Sequence, residues 1–138
     1  MQNAMEESAA PRRLRKGEDI EERLLEFAAR IGKVVDALPE SRLGRHIAGQ
    51  LVRSGTSPAP NYAEACAAES KNDFVHKLGI VLKELRESRV WIRMIVKVDL
   101  LPGNRIQPLL DECEQLGNII GRSLITAQAN RARKGNGK

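Results

Sequence analysis

The sequence predicts an all-α fold: an antiparallel, up-down four-helix bundle with a kinked second helix. Three observations carry this. Apolar residues recur at alternating steps of three and four along long stretches of the chain, which is the spacing of one helix face. No stretch shows the period of two that a half-buried strand needs. The breaks between stretches are short and rich in Pro, Gly and Ser, so consecutive helices must pack as neighbours. A chain of 138 residues with a hydrophobic share of 41% suits one domain with a core of its own.

The first stripe is Ile20, Leu24, Phe27, Ile31, Val34 and Leu38, and Pro39 ends it. Glu18 and Asp19 stand at its start, where acids oppose the positive end of the helix dipole. Ser41 is a good N-cap for a second arm over residues 41–68, which carries Leu43, Ile47 and Leu51. Gly55 permits a break or a C-cap, and Ser57 reads as a fresh N-cap with Pro58 and Pro60 in the first turn after it, which together predict a kink at 55–60. Ser70 or Asn72 can cap a long third helix with the stripe Phe74, Leu78, Val81, Leu85, Ser88, Ile92 and Ile95. Leu101-Pro102-Gly103 makes a turn, and Asn104 with Gln107 resembles a capping box for the fourth helix. That helix carries Ile106, Leu110, Cys113, Gly117, Ile120, Leu124 and Ala127, with Pro108 tolerated in its first turn. The bundle is expected over residues 18–127, with disordered basic tails at 1–17 and 128–138.

The net charge of +5 is unevenly distributed. Residues 1–17 carry +2, from Arg12, Arg13, Arg15 and Lys16 against Glu6 and Glu7, and residues 128–138 carry +4 through Arg131, Arg133, Lys134 and Lys138. The body is left at −1. Mobile Arg and Lys of this kind suit phosphate contacts with RNA or DNA, which are weakly sequence-specific and steeply salt-dependent. An aromatic share of 3% argues against a base-stacking sheet module. The N-terminus has no apolar run of the kind a signal peptide needs, and the Val90–Leu101 stretch is too short and too charged to span a bilayer. A cytoplasmic protein is expected.

The chemistry of common sites is mostly missing. There is no Cys-x-x-Cys, no phosphate-cradling Gly-rich loop ahead of a Lys, and no Gly-x-Ser-x-Gly elbow. Asp73-Phe74-Val75-His76 gives one partial match to a di-iron motif, and His46 has Leu43 at the same offset, so no metal site is expected. Cys66 and Cys113 read as reduced core thiols, and His76 as a surface residue. Arg53, Ser54, Ser57, Asn61 and Glu64 surround the kink, while Lys83, Glu84 and Glu87 lie along the third helix. A kink frees backbone groups that short polar side chains can satisfy, so this set reads first as a structural network, with Glu84 and Glu87 placed to pair with Arg53. A ligand or nucleic-acid contact through Arg53 is the other reading. The third helix is apolar around most of its circumference near its end, and Val90, Trp91, Met94, Ile95 and Val98 point to burial against a second copy of the chain.

The strings Gln50-Leu51-Val52-Arg53-Ser54-Gly55-Thr56-Ser57, Asn61-Tyr62-Ala63-Glu64-Ala65, Ala68 through Leu78, and Lys83-Glu84-Leu85-Arg86-Glu87-Ser88 with Trp91 together resemble the bacterial four helix bundle protein family. That family is also called the 23S rRNA-intervening sequence protein family. The resemblance covers about residues 20–127, and Arg53, Ser54, Ser57, Asn61, Glu64 and Glu84 match its motif positions. It implies a kinked second helix, a five-fold ring and no established enzymatic activity or cofactor. The accessory protein of diversity-generating retroelements is similar in fold, which implies nucleic acid and a reverse-transcriptase-type protein as partners. Pro58-Ala59-Pro60 departs from the usual Ile-Gly-Ala, and Tyr62 from the usual Ile. Residues and resemblance together predict a non-enzymatic homo-oligomer, a pentamer, that binds RNA or DNA. The alternatives are a protein-interaction scaffold and, third, an enzyme with its site near Asn61 and Glu64.

Overall fold

The structure is a computed structural model that describes residues 16–136. Among them there is no strand, and five helical segments form four arms, the second of them bent. Helix α1 spans Lys16–Ala37. Its stripe buries Leu24, Phe27 and Ile31 completely, and it stops ahead of Pro39. Ser41 caps α2, Arg42–Thr56, by accepting a hydrogen bond from the Gly44 N–H at 3.0 Å. A Cβ at Gly44 would lie 2.1 Å from the Pro39 carbonyl oxygen, so the chain can turn this tightly only with glycine there.

Helix α3, Pro58–Cys66, continues the same arm after Ser57. The fresh N-cap expected at Ser57 is corrected: Ser57 keeps helical dihedrals, φ −75° and ψ −36°, and its side chain makes no cap hydrogen bond, so the arm is bent and not broken. The bend follows from the prolines, which cannot donate to the carbonyls of Ser54 and Thr56 four residues back. At the bend Gly55 lies against α1, where an added Cβ would sit 2.7 Å from Ile31 Cγ1.

Ser70 caps α4, Lys71–Lys97, accepting from the Asp73 N–H at 3.1 Å. Helix α5, Gly103–Asn136, is the longest at 34 residues. Two expectations are corrected here. Residues 128–136 continue α5 and Lys16 belongs to α1, so the described parts of both charged ends are helical. Ala127, Ala129 and Ala132 among Arg, Gln and Lys favour helix, and no breaker intervenes before Gly135. The capping box is not formed either, because Gln107 donates to Asp111 Oδ1 at 2.9 Å. Pro108 falls in the second turn of α5, and the Asn104 carbonyl it leaves unbonded belongs to an exposed residue. The expected disorder of residues 1–15 and 137–138 lies outside the described residues.

Each arm packs on the arms before and after it in sequence, and α1 closes the square against α5. One core runs the length of the bundle, from Phe27, Leu51 and Leu78 to Ile92, Ile106 and Leu116. The start of α1 lies beside Tyr62 and Cys66 at the end of α3. Lys71 and Phe74, at the start of α4, share a groove with Ala127 and Asn130 of α5. Both chain ends therefore leave from the same end of the bundle. No described helix is long and apolar enough to cross a membrane.

Candidate functional site

The polar residues around the bend separate into three groups. In the first, Ser54 and Ser88 are fully buried at the seam of α2 and α4, their hydroxyls 2.9 Å apart. Ser88 also donates back to the Glu84 carbonyl at 2.8 Å, a local bond common for serine inside helices. Two such small residues let the helices approach closely. Just outside them Arg53 reaches across the seam with Nη1 3.1 Å from Glu84 Oε2, while Nη2 meets Glu87 Oε2. Glu87 accepts a second hydrogen bond from Trp91 Nε1 at 3.2 Å. The Trp91 ring in turn meets His46 edge to face, with centroids 5.8 Å apart. One continuous chain of contacts thus runs from His46 through Trp91, Glu87 and Arg53 to Glu84, and it fastens α2 to α4.

The second group is local. Asn61 Nδ2 donates to the Ser57 carbonyl at 3.0 Å and to Ser57 Oγ at 2.9 Å, which bridges the bend along its own arm. The third is apart from both. Glu64 is exposed and accepts from Lys77 Nζ at 2.6 Å across the seam of α3 and α4. The pairing of Arg53 with Glu84 and Glu87 agrees with the sequence expectation, whereas Glu64 does not share their cluster. Among the described residues no buried side-chain polar atom lacks a hydrogen-bond partner, and no group of three His, Cys, Asp or Glu could hold a metal ion. The geometry is that of a clamp between helices. Its hydroxyls face each other, and neither touches an imidazole.

The expected interface residues divide by exposure. Val90 and Val98 are 50% and 43% exposed, and Trp91 and Met94 are half-buried. Val90, Arg93, Met94 and Lys97 line a shallow surface groove. Ile95 is corrected: it is fully buried within the protomer and cannot meet another copy. Of the candidate phosphate-binding residues, Arg131 and Arg133 are exposed on α5, and Arg133 donates to Asn130 Oδ1 at 2.6 Å. Lys16 and Lys134 lie on the backbone of α1 and α5, and Arg12, Arg13 and Arg15 fall outside the described residues.

Of the two thiols, one departs from expectation. Cys113 is buried and donates to the Leu85 carbonyl at 3.3 Å, and burial, with Glu114 beside it, pushes its pKa up to about 12. Cys66, the last residue of α3, is exposed, while its neighbour Ala65 faces the core. Burial, then a hydrogen bond with Cys66, raises the pKa of the Tyr62 hydroxyl. His76 is exposed, as expected.

Among the contacts that sequence reasoning missed, two differ in how legible they were. Arg23 spans from α1 to α5 with Nη2 2.6 Å from Glu112 Oε1, and this hydrogen bond raises the guanidinium pKa further. No local signal could reveal that pair, since its partners are 89 residues apart. Ser88 did carry a signal, a hydroxyl on the apolar stripe between Leu85 and Ile92.

No curated protein matches the chain. A crystal structure of a protein with unknown function from the S23 ribosomal protein family of Bacteroides thetaiotaomicron is similar, with a TM-score of 0.74 and 26% sequence identity. The match covers 80% of this chain and 98% of that one. The sequence model of the 23S rRNA-intervening sequence proteins matches residues 18–122, which takes in the bent arm, the clamp and most of α5. With that match added to the four arms and the clamp, the chain belongs to the 23S rRNA-intervening sequence protein family.

Proposed function

We propose that the protein is a non-enzymatic bundle that assembles into a homo-oligomeric ring, a pentamer, and binds RNA or DNA through its basic ends without sequence preference. The observation that carries this reading is the exit of both basic ends from one end of the bundle. After Glu114 the chain has no acid, and Arg122, Arg131 and Arg133 are exposed along α5. Acids at this end are confined to other elements, among them Asp19 and Glu22 on α1 and Asp73 on α4. A ring would repeat this basic helix once per subunit and turn a modest monomer charge into a multivalent one. Supporting assembly, Val90 and Val98 expose apolar surface that one protomer does not cover.

The test is binding of a mixed-sequence duplex and of a structured RNA across a salt series. The full chain is compared with a full-length variant in which Arg12, Arg13, Arg15, Arg131, Arg133 and Lys134 are all replaced by Gln. The expected result is binding at low salt that weakens steeply with salt. The variant should show a shallower salt slope, by about 0.7–0.9 for each phosphate it no longer neutralises. Absence of binding to either nucleic acid at low salt overturns the reading.

The apolar strip of α4 beside Arg93 and Lys97 also suits a protein-interaction scaffold, in which a partner such as a reverse-transcriptase-type protein takes the place of nucleic acid. In that case the six-Gln variant retains its partner and the salt series shows no binding.

A further inference from the structure

Where arginines lie at helix seams, most find a carboxylate on the facing helix. Arg23 has Glu112, Arg53 has Glu84 and Glu87, and Arg89 has Glu114. Toward the other end of the α1–α5 seam they do not. Arg30 and Lys33 on α1 and Arg105 on α5 rim a groove of about 210 Å³. None of these three cations has an ion-pair partner among the described residues. Glu26 and Asp36 lie within a turn of them on α1 but reach none of them, and Glu112 is taken by Arg23. The accessible floor of the groove is apolar: Val34 and Leu101 are half-buried and Ala37 is exposed, above the buried Ile106 and Leu109.

The spacing gives the shape of the ligand. Arg30, Lys33 and Val34 occupy one face of α1, and Arg105, Ile106 and Leu109 one face of α5, which runs antiparallel to it. The result is an open trough about two helical turns long, or roughly 10 Å. A phosphate chain would meet the cations and leave the apolar floor wet. A neutral apolar ligand would cover the floor and strand three cations at its edge. Both needs are met by a helix with apolar residues on one face and carboxylates on either side.

We propose that the groove between the C-terminal half of α1 and the N-terminal half of α5 docks an acidic amphipathic helix of a partner protein, its apolar face on Val34, Ala37 and Leu101 and its carboxylates on Arg30, Lys33 and Arg105. This site lies at the opposite end of the bundle from the basic chain ends, so it stands or falls apart from the nucleic-acid reading.

The probe is a fluorescein-labelled helical peptide of about 15 residues, with Leu at i, i+3, i+4 and i+7 and Glu flanking them. Anisotropy is followed with the full-length protein at physiological ionic strength. The acidic peptide is expected to saturate, while the same peptide with Lys for Glu, or Ser for Leu, is expected not to bind. The exposed pair substitution K33E/R105E, which touches no core residue, should weaken binding about tenfold or more. No saturable signal, or equal binding by K33E/R105E, overturns the proposal. A K33E/R105E protein that loses RNA affinity or oligomer mass while binding peptide unchanged also overturns it, and assigns the groove to nucleic acid or to a second copy.

Discussion

Asp99 is the one described non-glycine residue with a positive φ, 55°. It closes α4: the Asp99 N–H donates to the Val96 carbonyl at 3.2 Å and the Leu100 N–H to the Ile95 carbonyl at 3.0 Å, the paired bonds of a Schellman stop. Glycine usually fills this position because a side chain disfavours the left-handed region, though Asp tolerates it better than most residues. Asp99→Gly is therefore expected to stabilise the protein by about 0.5–1 kcal/mol, and Asp99→Val to destabilise it by about 1–2 kcal/mol. Urea unfolding of the three proteins measures both, and equal midpoints would show that the strain is absent. That Asp99 takes the left-handed position of this stop is not legible in the sequence. The glycine that signals a helix end lies at Gly103, where it begins α5 instead, so the sequence signal falls a few residues after the true stop.

The bend in the second arm is set by two kinds of chemistry. Pro58 and Pro60 remove backbone donors, and Gly55 lets the arm settle against Ile31. A methyl at residue 55 must displace the Ile31 side chain, which is fully buried and has nowhere to move. Gly55→Ala should cost about 1–3 kcal/mol as overpacking. In an Ile31→Ala background the same substitution should cost much less or become favourable, because its methyl enters the space that was vacated. Thermal or denaturant unfolding of the four-protein cycle tests this, and additive effects would show that the two residues do not meet. The bend and the pairing of Arg53 with the α4 carboxylates are legible because prolines act locally and Glu84 and Glu87 share one face. The isolation of Glu64 is not, since it depends on how far α3 swings from α2. Ile95 is hard to place for a different reason. Its step of three from Ile92 already puts it on the core stripe, and the apolar density around it hides that register.

For the whole molecule, the pattern of apolar steps specifies the arms, their order and the core, and the family match fits that frame. What sequence does not show is where surfaces meet, because seams such as that of α1 with α5 join residues far apart in the chain. Assembly is tested at this scale by light scattering on the full chain and on V90E/V98E. Both positions are exposed, so the variant should keep its helical signal and melting temperature while its mass falls from that of a ring to that of a protomer. A monomeric unmodified chain would remove the ring from the proposal.

The shared exit of the two ends has a consequence for the chain as a polymer. With the first turn of α1 and the last turns of α5 at the same end of the bundle and α1 lying against α5, the described helices make nearly a closed loop that happens to be cut at one corner. A short linker across that corner and a new opening in the turn around Pro102 would give the same helices in a permuted order, as domains with adjacent termini commonly allow. The basic segment would then become an internal connection, which separates its charge from its freedom as an end.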